Sequence, residues 1–167
     1  MIKLALFQPQ IPQNTGNIAR LCVGLDIPLI IAGKTGFSLS DKYLKRAGLD
    51  YWEHLKLEIF TTYEEFLEKY GKNRILYATT KGKNPYYKID YLMDDIIMFG
   101  SETSGLPDNI LKENIENTIT IPMPGKVRSL NLSNSAAVVA YHALQGVGYF
   151  DEFVVNRNYH TLFLKAL

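Results

Sequence analysis

The feature that most constrains the fold is a series of short apolar runs separated by stretches of helical pattern. Ile2 to Phe7, Pro28 to Ala32, Leu55 to Phe60, Arg74 to Thr79, Asp95 to Phe99 and Thr118 to Ile121 are each of strand length and are bounded by turn residues. Between them the pattern predicts helices over Thr15 to Leu25, Thr62 to Tyr70 and Asp108 to Asn114, and a last, longest helix over Asn131 to Val147. Asn14 or Thr15 is expected to cap the first, and Thr62 with Glu65 forms a capping box for the second. A short basic helix starting at Ser40 or Asp41 carries Lys42, Lys45 and Arg46. Strands that alternate with helices predict an α/β fold, a mostly parallel sheet with helices on both faces.

A chain of 167 residues suits one domain, expected over residues 1–150, with 151–167 as a C-terminal tail. The net charge of +1 means that binding to a polyanion would need a local basic patch or two subunits acting together. Lys42, Lys45, Arg46, Lys81, Lys83 and Arg128 are the candidates for phosphate contact, and Tyr86 and Tyr87 for stacking on an unpaired base. The single cysteine, Cys22, is flanked by Leu21 and Val23 and reads as a buried thiol. No metal site is expected. The first residues lack the pattern of a signal peptide, and no apolar run approaches the roughly 20 residues that span a bilayer. A cytoplasmic protein with no membrane partner is expected.

The familiar nucleotide-binding signatures are missing. No Gly-x-Gly-x-x-Gly follows the first strand, and Gly33-Lys34-Thr35 has Pro28 where a P-loop needs its first glycine. Three other segments concentrate glycine, proline and small polar residues beside apolar runs. They are Asn14-Thr15-Gly16-Asn17-Ile18-Ala19-Arg20, Phe99-Gly100-Ser101-Glu102-Thr103-Ser104-Gly105-Leu106-Pro107, and Ile121-Pro122-Met123 followed by Arg128-Ser129-Leu130-Asn131-Leu132-Ser133-Asn134. Such edges leave backbone groups free to meet a ligand. Arg20 stands in an otherwise apolar turn, and arginine is rarely buried without a partner. The last helix carries Ala136, Ala137, Val138, Val139 and Ala140 with no polar break, so it wants cover on more than one side.

In this order the three segments resemble the motifs of the SPOUT (TrmH-like) RNA 2′-O-methyltransferases, over about Met1 to Phe150. Within that superfamily they are most similar to the small enzymes that modify the tRNA wobble nucleotide. The resemblance implies a deep C-terminal trefoil knot and S-adenosylmethionine as methyl donor, contacted at Ala78, Gly100, Ile121, Met123 and Ser129. It assigns catalysis to Arg20, Asn14, Ser129, Asn131 and Glu102, with Arg20 acting on the ribose hydroxyl either as a base or as an electrostatic stabiliser. It also implies a homodimer whose partner completes the site, and a tRNA anticodon loop, not DNA, as substrate. The same chemistry on another tRNA position or on ribosomal RNA, or a non-catalytic RNA-binding factor, are the rival readings. Ala78, Ser104 and Val127 depart from the family pattern, which carries leucine, arginine and serine there.

Overall fold

The computed structural model describes residues 1–38 and 52–151. The basic helix expected after Ser40 and the tail beyond Asp151 lie outside the described residues. Seven strands form one sheet: β1 (Lys3–Phe7), β2 (Leu29–Ala32), β3 (Leu57–Phe60), β4 (Ile75–Ala78), β5 (Asn84–Pro85), β6 (Ile96–Phe99) and β7 (Thr118–Thr120). Their order across the sheet is β3-β2-β1-β6-β4-β7-β5, and every pairing is parallel. The strands predicted from apolar runs all form, each trimmed by one or two residues at its ends.

Helices α1 (Pro12–Gly24), α2 (Tyr63–Tyr70), α3 (Asp108–Glu113) and α4 (Leu132–Gly146) complete the described fold. Side chains alternate along the strands, which divides the core in two. Leu4 and Leu6 of β1 face Ile18, Ala19 and Cys22 of α1 together with Ala136, Val139, Ala140 and Ala143 of α4. Ala5 and Phe7 face the other way, onto Phe66 and Tyr70 of α2 and Ile110 of α3. Helices on both faces are therefore present, as expected. Burial also pushes the Cys22 thiol up to about 12, which removes it from thiolate chemistry near neutral pH.

Two local readings are corrected. Helix α1 starts at Pro12, with Ile11 at its cap position and no capping side chain of its own. Proline at the first helical position has its φ preset and lacks the N–H that would otherwise need a partner. The helix therefore begins earlier than the polar residues suggested, and Asn14 and Thr15 lie buried inside its first turn. The apolar pattern predicts no strand beside Lys83, yet Asn84–Pro85 form β5, which is only two residues long and half proline. A strand so short has no periodicity to read, and proline is tolerated because β5 is the sheet edge. The Thr62–Glu65 capping box forms as expected, worth about 1 kcal/mol.

Candidate active site

Parallel sheets tend to bind ligands outside the carboxyl ends of their strands, and the cavity of this fold lies there. A space of about 480 Å³ opens beyond Ala78 at the end of β4, Phe99 at the end of β6 and Ile119 to Ile121 at the end of β7. Its remaining walls come from the segment after β6, the start of α1, and the residues leading into α4. The three motif segments thus converge on one cavity. Asn14, Ala78, Gly100, Glu102, Ile121, Met123, Ser129 and Asn131 all line it.

Arg20 does not. It is exposed on α1, six residues beyond Asn14 or about 9 Å further along the helix axis, and lies outside this chain's cavity.

The polar wall is a directional chain of hydrogen bonds. The Glu102 carboxylate accepts from the backbone N–H groups of Gln10 (2.8 Å) and Ile11 (3.2 Å), and from the Asn14 side-chain amide (3.0 Å). The Asn14 carbonyl oxygen accepts from the Asn131 amide at 3.0 Å. The Asn131 oxygen accepts from the Ser133 N–H (2.9 Å) and hydroxyl (2.7 Å), which makes Asn131 the N-cap of α4. Residues 88 and 117 positions apart in sequence are joined in this way.

The segment after β6 folds back on itself. Ser101 and Gly105 exchange two backbone hydrogen bonds, and the hydroxyls of Ser101 and Ser104 meet at 2.7 Å. Gly105 has φ +69°, where a side chain is strained. Gly100 has an ordinary backbone, but a Cβ there would lie 2.2 Å from the Gly105 carbonyl carbon. Its lack of a side chain is thus required by the loop's own closure. The sequence suggested only room for a ligand. Ser104 supplies the second hydroxyl of that closure.

Several charges are placed differently from expectation. Lys83 is held by Glu116 at 2.6 Å, so it is not a free phosphate ligand. Lys81 lies 3.7 Å from Asp108, and both line the cavity rim. Arg128 is exposed and lines the cavity. Tyr86 lines the cavity too, half-buried and edge-on to His142 at 5.1 Å, whereas Tyr87 is exposed. The place of Asp108 on the rim carries no sequence signal, since the fold alone brings it there. Among the described residues, no group of His, Cys, Asp and Glu could hold a metal ion.

The all-parallel α/β sheet is shared with SpoU methyltransferases of known structure. Comparison with known proteins agrees: residues 1–141 match the SpoU rRNA Methylase family, and the chain belongs to it. The tRNA (cytidine(34)-2′-O)-methyltransferase of Escherichia coli is 43% identical over 150 residues, covering 89% of this chain and 96% of that one. A solved structure described as concerning the 2-OH methylation of C/U34 on tRNA is 41% identical, covers 87% of this chain and 95% of its own, and has a TM-score of 0.84. An AdoMet-bound rRNA methyltransferase from Sinorhizobium meliloti shares the fold, with TM-score 0.77 at 22% identity, covering 86% of this chain and 56% of that one.

Proposed function

We propose that this chain transfers a methyl group from S-adenosylmethionine to the ribose 2′-hydroxyl of the wobble nucleotide of tRNA. The observation that carries the reading is the Glu102–Asn14–Asn131 chain, which binds all three motif segments into one polar wall beside the cavity. The reaction and the position come from relatives that cover nearly their whole length with this chain and carry that activity in their names.

The cavity suits the donor. Its volume lies in the range of small-ligand sites, and its walls mix apolar side chains with backbone from glycine-bearing turns. Ala78, Gly100, Ile121, Met123 and Ser129 would hold the donor, largely through backbone groups at the strand ends. When bound, S-adenosylmethionine supplies an electrophilic methyl group on a leaving group that departs neutral, so the reaction needs no metal. The chain's own task is alignment and electrostatics. The amides of Asn14 and Asn131 and the Ser129 hydroxyl orient the ribose, and Arg128 at the rim meets a phosphate.

Arg20 acts from a different place. Because it lies outside this chain's cavity, its role at the hydroxyl is met in a homodimer, where it enters the site formed with a second copy. Support for the dimer comes from α4, whose outward side exposes Val138 and Tyr141 while its inward side packs on α1 and the sheet. The trefoil knot is supported by β7, which lies between β4 and β5 although it follows both in sequence. The connection from β4 to β5 passes so close over β7 that a Cβ on Gly82 would lie 2.4 Å from the Ile119 carbonyl carbon. Residues 1–150 form the methyltransferase domain, with 151–167 as a tail. No described helix is long and apolar enough to cross a membrane, in keeping with a cytoplasmic site of action on the tRNA anticodon loop.

The test is to incubate the protein with methyl-labelled S-adenosylmethionine and total tRNA, then digest and map the label. A 2′-O-methylated cytidine or uridine at the first anticodon position is expected. Label at another nucleotide would move the substrate assignment, and no label in any tRNA would overturn the reading.

A further inference from the structure

We propose that Glu102 is a positioning residue whose ionised carboxylate sets the direction of both cavity amides, so that Asn14 and Asn131 offer the cavity their remaining N–H groups. For its consequence in turnover the proposal rests on the methyl-transfer reading, but its structural content can be tested without it.

The hydrogen-bond chain is pinned at both ends. An ionised carboxylate can only accept, and a backbone N–H can only donate. Glu102 therefore receives the N–H of Gln10, the N–H of Ile11 and the Nδ2 of Asn14. That turns the Asn14 oxygen away from Glu102 and towards Asn131, whose Nδ2 it accepts. The Asn131 oxygen is left to face the Ser133 N–H, which is fixed by the first turn of α4. Reversing either amide would set donor against donor and oxygen against oxygen. Each Nδ2 carries two hydrogens and spends one in this chain. The other is left for an acceptor on a ligand. A wall that donates suits an oxygen that gains negative charge as it reacts.

The same carboxylate serves the start of α1. That helix has no capping side chain of its own and no acidic residue in its first turn. Glu102 supplies both the acceptor and the negative charge from 91 positions away in sequence. The charge cannot be replaced by a neutral isostere. In Glu102→Gln an amide NH2 must face one of three donors. If it faces Asn14, that amide turns over, Asn131 follows, and the Asn131 Nδ2 then opposes the Ser133 N–H.

The experiment compares the wild-type protein, Glu102→Gln, and the double variant Glu102→Gln with Asn14→Asp. In the double variant the carboxylate introduced at position 14 accepts both from the amide introduced at position 102 and from Asn131, which restores the direction of Asn131. The first readout is the Asn131 side-chain NH2 signal in nitrogen-edited NMR, assigned by its loss in Asn131→Ala. It is expected to shift in the single variant and return in the double. The second readout is kinetic. Glu102→Gln is expected to lose turnover on tRNA on the order of tenfold or more, while affinity for S-adenosylhomocysteine by calorimetry stays close to wild type. Turnover is not expected to return in the double variant, since a carboxylate at position 14 offers no N–H. An Asn131 signal unmoved in Glu102→Gln, or moved and not restored in the double variant, would overturn the proposal. A helix-capping role alone would lower the melting temperature and leave that signal in place. Should the wild-type protein methylate no tRNA, the NMR comparison still decides.

Discussion

The guanidinium of Arg74 grips the carboxylate of Asp95 through two bonds, 2.8 Å from Nε and 2.6 Å from Nη2, and Asp95 is fully buried. Asp95 also accepts the Leu92 N–H at 2.8 Å, and Arg74 reaches the Asp90 carbonyl at 2.7 Å. The pair ties the entry of β4 to the entry of β6. Its two ends are unequal, because the Arg74 side chain is a third exposed. Arg74→Ala strands a buried carboxylate and should cost about 3–5 kcal/mol, whereas Asp95→Asn leaves an arginine that can turn to water and should cost less. Urea melts of the two variants check the order. Equal losses would mean that the carboxylate is not the costly partner.

Gly100 and Gly105 should respond to added side chains for different reasons. A Cβ on Gly100 meets backbone at 2.2 Å, while a Cβ on Gly105 meets nothing within 4 Å and suffers only from φ +69°. Gly105→Ala should cost about 1–2 kcal/mol of stability. Gly100→Val must force the loop open, and the loss of affinity for S-adenosylhomocysteine should be about tenfold or more, roughly 1.4 kcal/mol. Calorimetric titration separates them. Unchanged affinity in a folded Gly100→Val protein would place the donor elsewhere.

For Arg20, exposed and outside the chain's own cavity, the expectation is an intact donor site with lost turnover. Arg20→Ala should bind S-adenosylhomocysteine like wild type and lose most methylation. Arg20→Lys should also be poor, since lysine lacks the planar fork of donors. Full turnover in either variant, measured on tRNA, would remove the residue from catalysis.

The association state can be read by light scattering. A mass twice the 19.0 kDa of the chain is expected at micromolar concentration. Tyr141→Lys places a charge on the exposed side of α4, where Tyr141 is 53% exposed, and should shift the protein towards the monomer and lower turnover with it. A wild-type monomer would contradict the dimer outright.

Much of this architecture was legible in the chain because it depends on local pattern. The strands are apolar runs, Thr62 and Asn131 sit where caps are needed, and the cavity-lining glycines fall in recognisable segments. What escaped reading depends on residues far apart. Proline alone can open a helix, so Asn14 was free to leave the cap and face the cavity. The resemblance assigns Glu102 to catalysis, yet its carboxylate also serves a helix start 91 positions earlier. Lys83 looked available until Glu116 was folded against it. No window along the sequence holds those pairs together.

The placement of β7 between β4 and β5 has a consequence for synthesis on the ribosome. A nascent chain that has emerged only as far as β6 possesses five of the strands on one side of the missing one and the short β5 beyond it, with nothing to bridge the gap. The cavity walls from Ile119 to Ile121 and at Asn131 are made only after β6. The complete cavity therefore cannot exist before the chain has emerged through α4, and any ligand that needs all of its walls must wait until then.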